Sequence, residues 1–117
     1  MKKVLIIEDD GGTLDMLGYI AKQAEFEVVL RSDVLPLSEI KQIKPDLILL
    51  DHWIGTHYGG DLCLEIKQDP ATAEIIVIML SAVIDIGQIA MDNYADGSLT
   101  KPFEVAEVED VLQSYLG

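Results

Sequence analysis

The chain has 117 residues, with 21 acidic and 8 basic side chains, so its formal charge is −13 and its pI is near 4.2. A domain of this length buries roughly two-thirds of the surface that its extended chain exposes. Half of the residues are apolar. We therefore expect one folded domain over residues 1–117 and no disorder. The acidic balance argues against direct binding to nucleic acid or to an anionic membrane, whose phosphates would repel it.

Cysteine content and hydropathy exclude several further classes of protein. Cys63 is the only cysteine, so an intrachain disulfide and a Cys-rich zinc site are excluded, and we expect its side chain to pack in the core. The apolar run after the first two lysines is too short for a signal peptide, and no segment approaches the ~20 apolar residues of a membrane span. These features predict a cytoplasmic protein.

The first half of the chain alternates short apolar runs with segments of helical period. Val4–Ile7 predicts the first strand, and Thr13 is placed to cap the helix that follows, whose apolar residues recur at spacings of three and four. Phe26–Leu30 predicts the second strand, because Phe and Val favour a pleated surface. Leu35–Ile43 predicts a weaker helix, with Pro36 in its first turn.

The two most apolar segments are predicted to be buried central strands. Asp46–Asp51 is apolar between two acids, and Ile75–Leu80 is apolar up to Ser81. A helix that opens at Gly59 separates them.

The last third of the chain completes the pattern. A fourth helix is marked by Ile86, Ile89, Ala90 and Tyr94. Gly97–Thr100 predicts a short fifth strand that ends at Lys101. Glu104–Leu116 predicts the final helix, with an apolar stripe of Val105, Val108, Leu112 and Tyr115. We expect Tyr94 and Tyr115 to lie at the edge of the core.

Five strand–helix pairs in alternation predict an α/β fold with a parallel sheet and helices on both faces. Right-handed crossovers leave few topologies. The count favours an open, doubly wound, five-stranded sheet of flavodoxin-like order, 2-1-3-4-5, with five helices. In such sheets ligands bind beyond the carboxyl ends of the strands.

Polar side chains follow four of the predicted strands at those ends. They are Glu8, Asp9 and Asp10 after the first strand, Asp51 at the third, Ser81 at the fourth and Lys101 at the fifth. Carboxylates at close range repel each other unless their pKa values rise or a divalent cation binds. Carboxylate and carbonyl oxygens suit Mg²⁺ rather than zinc. His52 and His57 are not expected to be ligands, because neighbouring side chains at a strand exit point in different directions.

A carboxylate beside Mg²⁺, a hydroxyl and an ammonium are the parts of a phosphoryl-accepting site. Asp51 is the natural nucleophile because it ends the most apolar strand. Ser81 and Lys101 would hold the phosphoryl oxygens, and Glu8 and Asp9 would hold the metal. Asp10 is expected to be a solvated loop residue.

The chain resembles the receiver domain of two-component response regulators along essentially its whole length. The matching stretches are VLIIEDD, DLILLD with Gly59 eight residues after Asp51, IIVIMLSA and LTKPF. Each is modest alone, but their order and the 30 residues between Asp51 and Ser81 make the joint match specific.

The resemblance implies a role for each matching position. Asp51 is the implied phospho-acceptor, and Asp9 is a direct Mg²⁺ ligand with Glu8 as the second acid. The Trp53 backbone carbonyl also binds the metal, Ser81 is the switch hydroxyl and Lys101 contacts the phosphoryl group. The resemblance further implies a cis peptide before Pro102.

The same resemblance implies how the protein signals and with which partners. The phosphoryl donor is a phosphohistidine on a sensor histidine kinase or a phosphotransfer protein. The receiver signals by altered contacts with a downstream protein target or in a homodimer. It is not an enzyme with turnover, since it catalyses only its own phosphorylation and dephosphorylation.

The sequence departs from the family pattern at several positions. Ile54-Gly55 replaces the usual Met-Pro, which is expected to make this loop more mobile. Trp53 is unusually large, and we hypothesise that it shields the acyl phosphate from water. Ser98 stands where the family has its switch aromatic. Ser81 and Lys101 are 20 residues apart, about two fewer than usual, which shortens the fourth helix or its preceding loop.

Two other classes of protein compete with this interpretation. A degenerate receiver would keep the fold and act as a constitutive interaction module. Ser98 and the short fourth helix favour it. It is opposed by the intact set of Glu8, Asp9, Asp51, Ser81 and Lys101. A flavodoxin or an aspartyl-nucleophile phosphatase is disfavoured. A flavodoxin needs a Ser/Thr-rich phosphate loop at the position of Glu8, Asp9 and Asp10. The phosphatase needs an aspartate nucleophile at the end of the first strand, where this chain has Glu8.

Overall fold

The central element of the fold is a five-stranded parallel sheet. A computed structural model describes residues 1–83 and 85–117. The strands run in the order β2-β1-β3-β6-β7, which matches the predicted order 2-1-3-4-5 when the five main strands are counted along the chain. Their bounds are Lys3–Ile7 (β1), Glu27–Arg31 (β2), Leu47–Asp51 (β3), Ile76–Ser81 (β6) and Gly97–Thr100 (β7).

Five helices cover the two faces of this sheet, as predicted. They are α1 (Gly11–Gln23), α2 (Leu37–Ile43), α3 (Gly59–Gln68), α4 (Ile86–Asp92) and α5 (Val105–Leu116). Alternate strand residues point to opposite faces. One core therefore joins Ile48 and Leu50 of β3 to α2, α3 and α4, and the other joins Leu47 and Leu49 to α1 and α5. All five residues of β3 are buried, which confirms it as the central strand.

Three local predictions were wrong. Thr13 does not cap α1: the helix begins at Gly11, and Asp10 is its N-cap, accepting from the Thr13 backbone N–H. Pro36 lies just before α2, as its N-cap residue, and not in its first turn. Tyr94 lies beyond the end of α4 with a φ of 63° and is 68% exposed, so it is not at the edge of the core.

The last helix follows its predicted stripe in part. Val108 and Leu112 are fully buried, but Val105 is 52% exposed, because it sits in the first turn of α5, where the chain enters from the solvent. Tyr115 is also partly exposed, and its hydroxyl donates to the Asp96 carbonyl at 2.9 Å. Only the middle of the stripe therefore reaches the core.

Two features complete the fold. A two-stranded antiparallel hairpin, β4 (Trp53–Ile54) and β5 (His57–Tyr58), joins β3 to α3, and the sequence did not predict it.

Cys63 is fully buried on α3, as expected, and burial raises the pKa of its thiol to about 11. Among the helices described over residues 1–83 and 85–117, none is long and apolar enough to span a membrane.

Candidate functional site

The carboxyl ends of four strands meet at one edge of the sheet. The parallel register pairs Ile7 with Leu50, Asp51 with Leu80 and Ser81 with Thr100. The residues that end or follow these strands therefore come together, as the sequence predicted. These are Glu8, Asp9, Asp51, Ser81 and Lys101.

Lys101 pairs with two carboxylates in this site. Its Nζ lies 2.5 Å from Glu8 Oε1 and 3.2 Å from Asp51 Oδ1. Glu8 is fully buried and Asp51 is nearly so. Lys101 is the one basic residue in the sequence from 68 to 117, and both carboxylates that it contacts come from the first half of the chain. The Lys101–Pro102 peptide is cis, as the resemblance implies.

Three acids could hold a metal ion together. One carboxylate oxygen from each of Glu8, Asp9 and Asp51 lies within 4.8 Å of the others. Asp9 is exposed, and its Oδ2 accepts from the Gly55 backbone N–H at 2.9 Å. Asp10 is exposed too, but it faces α1, where its Oδ2 accepts from Thr13 N and Oγ1. Asp10 therefore stands outside the cluster, as expected.

The charges of the site shift its pKa values in opposite directions. Burial, together with the adjacent Glu8 carboxylate, raises the pKa of Asp51 to about 8 in the metal-free protein. The Gly55 amide lowers the pKa of Asp9. Burial alone would lower the pKa of Lys101, but Glu8 and Asp51 outweigh it and raise that pKa above its ordinary value. A cation would replace the proton that Asp51 otherwise retains.

The pKa of Asp51 predicts a pH-dependent stability of the metal-free protein. Its folded-state value lies above its unfolded value, so the folded state binds more protons and loses stability as the pH rises towards about 8. We expect the free energy of unfolding to fall as the pH rises from about 4 to about 8 and to level off above that. Asp51→Asn should flatten this slope in denaturant titrations with EDTA. An equal slope in wild type and variant would contradict the assignment.

The Glu8 carboxylate oxygen that Lys101 does not contact shows that a metal ion fits the acidic cluster. Glu8 Oε2 is buried and has no hydrogen-bond partner among the described residues. A buried carboxylate oxygen without a partner costs free energy. A hard cation, or a water bound to one, would satisfy this oxygen, and all-oxygen donor sets suit Mg²⁺. The acids present therefore fit the ion.

Ser81 and His52 form a contact that the sequence did not indicate. Ser81 Oγ lies 3.2 Å from His52 Nδ1 and accepts from the Val83 N–H at 3.0 Å. The His52 backbone N–H donates to Asp51 Oδ1 at 3.0 Å. His52 is buried, which lowers its pKa, and His57 is exposed. Neither belongs to the cluster of Glu8, Asp9 and Asp51. The His52 side chain thus contacts the Ser81 hydroxyl, while its backbone N–H contacts the Asp51 carboxylate.

The hairpin after Asp51 shapes the rim of the site. Gly55 starts its turn with a φ of 61°, a conformation that glycine adopts without strain. Ile54 is buried and paired with His57, so the segment expected to be mobile is a paired hairpin. Trp53 pairs with Tyr58 across the hairpin, their ring centroids 5.3 Å apart, and is half-exposed. The metal-binding role of the Trp53 carbonyl and the shielding role of its ring stay predictions.

Gly59 permits a close approach at the start of α3. Its N–H donates to the His52 carbonyl at 2.6 Å, and a Cβ there would overlap the Asp51 carbonyl oxygen. We expect Gly59→Ala to lower the free energy of unfolding by about 2 kcal/mol, because neither backbone can give way. Gly11→Ala, where a Cβ meets nothing within 4 Å, is the control. Equal stability of both variants in urea titrations would argue against this packing.

The comparisons with known proteins agree with this architecture. The response regulator receiver domain family matches residues 4–113, and the chain belongs to this family. Receiver domains are the modules of two-component response regulators that interact with histidine kinases.

Three relatives illustrate the match. The DNA-binding dual master transcriptional regulator RpaA of Synechocystis sp. is 35% identical over 92% of this chain and 46% of its own. A response regulator from Chloroflexus aurantiacus is 26% identical, with a TM-score of 0.91 over 98% of this chain and 97% of its own. The receiver domain of a sensor histidine kinase from Pseudomonas aeruginosa, solved with magnesium in its active-site cleft, is 20% identical. Its TM-score is 0.86 over 97% of this chain and 96% of its own. The chain spans about half the length of the curated relatives it matches.

Proposed function

We propose that this receiver domain accepts a phosphoryl group on Asp51 in a Mg²⁺-dependent reaction and signals by changed protein–protein contacts. The donor is a phosphohistidine on a sensor histidine kinase or phosphotransfer protein. The observation that carries the proposal is the acidic cluster, in which Asp51 meets Glu8, Asp9 and the Lys101 ammonium. The domain acts on itself alone, with no turnover of an external substrate.

The reaction needs a nucleophile and groups that balance charge. An Asp51 carboxylate oxygen attacks phosphorus, the N–P bond of the phosphohistidine breaks, and its electron pair stays on the imidazole nitrogen. Lys101, already 3.2 Å from Asp51, neutralises negative charge on the phosphoryl oxygens. Ser81, at the end of the neighbouring strand, donates its hydroxyl proton to one of them.

The metal would be held by the side chains of Glu8, Asp9 and Asp51 and by the Trp53 carbonyl. Mg²⁺ supplies positive charge to the phosphoryl oxygens when it is bound. The chain's own contribution is to keep Asp9 ionised through the Gly55 amide and to leave Glu8 Oε2 free for the ion or its water.

The single tryptophan offers a test of metal binding. Trp53 lies two residues after Asp51, so we expect its fluorescence to change on titration with MgCl₂ and to saturate. Asp9→Asn should weaken the apparent affinity at least tenfold, since it removes one carboxylate ligand. Asp10→Asn is the control, because Asp10 caps α1 and lies outside the cluster. Equal affinities for the three proteins would contradict the assignment of the ligands.

We further propose that this domain does not contact nucleic acid or membranes directly. Its formal charge of −13 supports this, as both would repel it. Several curated relatives are named as DNA-binding regulators, and they are about twice as long as this chain. The partners proposed for these residues are a kinase or phosphotransfer protein, a downstream protein, and a second copy of the chain.

A constitutive interaction module is the second candidate. Ser98 carries no ring, and α4 has seven residues. A module of this kind would bind its partner equally well with and without a phosphoryl group on Asp51.

A further inference from the structure

Signal transfer in this receiver needs a path that does not use Ser98. Ser98 lies on β7 opposite Met79, with a side chain that is small and only partly buried. No ring at this position can rotate when Ser81 moves. Three aromatic side chains that contact one another, His52, Trp53 and Tyr58, follow strand β3, on the other side of β6 from Ser98.

The first contact of that group is between Ser81 and His52. Within the described part of the chain, the partners of Ser81 Oγ are His52 Nδ1 and the Val83 N–H. A serine hydroxyl has one proton to donate. If Ser81 donates that proton to a phosphoryl oxygen on Asp51, it has no proton to donate to His52. The buried His52 ring must then turn or carry its own proton on Nδ1.

The second contact carries that change to Tyr58. The His52 and Tyr58 rings meet edge to face, with centroids 5.3 Å apart and an interplanar angle of 69°. Such pairs depend on geometry, so a turn of one ring changes the contact of the other. His52 is buried, which ties its movement to that of its neighbours.

The third contact reaches α4. The Asn93 side-chain amide donates to the Tyr58 hydroxyl at 3.1 Å and to the Ile89 carbonyl at 2.9 Å. Gly60 makes this possible, because a Cβ there would overlap the Tyr58 ring and the Asn93 amide. Asn93 is the C-cap residue of α4, and Met91 and Tyr94 beside it are about 70% exposed.

We propose that the contacts Ser81–His52–Tyr58–Asn93 couple the phosphoryl site to the C-terminal end of α4. The response then appears on the surface formed by Met91 and Tyr94. This inference rests on the proposed function for its trigger, but the coupling itself is a property of the unmodified protein. It can therefore be tested with and without a phosphoryl analogue.

The test in the unmodified protein uses Ser81→Ala and NMR of the Asn93 side-chain amide. Loss of the Ser81 hydroxyl should shift this resonance through His52 and Tyr58. Ser98→Ala is the matched control, since it removes the same oxygen from the adjacent strand. A larger Asn93 shift for Ser81→Ala supports the coupling, and equal or absent shifts would overturn it.

The test in the activated protein uses beryllofluoride with Mg²⁺. Tyr58→Phe keeps the ring and removes the hydroxyl that Asn93 binds, so the adduct should form as in wild type while the Met91 and Tyr94 amide shifts fall by half or more. Tyr94→Phe is the control and should retain the Met91 shift. An unchanged response in Tyr58→Phe overturns the coupling. Absence of the adduct in wild type contradicts the proposed function instead, and the Ser81→Ala result then decides the coupling.

Discussion

Lys101→Met should lower the free energy of unfolding of the metal-free protein by about 3 kcal/mol at neutral pH. Glu8 is fully buried and Lys101 is the cation it contacts in the described part of the chain, at 2.5 Å. Removing Lys101 leaves that charge buried and unpaired beside Asp51. Urea titration in EDTA measures the loss.

Two further variants identify the cause of that loss. Lys41→Met removes the Lys41–Asp69 pair, which has a 2.8 Å separation and lies at the surface, so it should cost much less than Lys101→Met. Glu8→Gln in the Lys101→Met background should restore most of the stability, because no buried charge then lacks a partner. If Lys101→Met costs no more than Lys41→Met, Glu8 does not depend on Lys101.

Asp51→Asn should separate stability from phosphoryl acceptance. The amide removes a buried carboxylate whose pKa is raised to about 8, so the metal-free variant should be more stable than wild type at pH 8, by about 1 kcal/mol or more. Acceptance from acetyl phosphate with Mg²⁺ should be lost completely, because the nucleophilic oxygen is gone. Intact mass and urea titration measure the two effects.

An exposed acid provides the comparison for that variant. Asp15→Asn changes a solvated carboxylate on α1 and should leave both acceptance and stability close to wild type. Continued incorporation in Asp51→Asn would show that another side chain accepts the phosphoryl group. A loss of stability would show that the Asp51 carboxylate stabilises the metal-free fold.

The sheet and the convergence of the site were predictable because each depends on pattern and topology. Strands such as Leu47–Asp51 are continuous apolar runs, and parallel strands place their carboxyl ends at one edge. Glu8, Asp51 and Lys101 therefore came together as expected from their positions alone.

The local details depend on contacts that no sequence period encodes. Two polar residues, Asp10 and Thr13, flank a glycine pair, and both are residue types that cap helices. The side chain of Asp10 accepts from the Thr13 N–H, so α1 begins about one turn earlier than a Thr13 cap would place it. Strands of two residues in the hairpin are too short for an alternating pattern, although Gly55 is a turn signal. The His52–Ser81 contact joins residues 29 apart and follows only from the side-chain packing.

Location of the phosphoryl group tests the central claim most directly. Wild-type protein would be incubated with acetyl phosphate in Mg²⁺ or in EDTA, reduced with borohydride to trap the acyl phosphate, digested and mapped by mass spectrometry. We predict one modified residue, Asp51, in the Mg²⁺ sample and none in the EDTA sample. Modification of another residue, or no modification with Mg²⁺, would contradict the account.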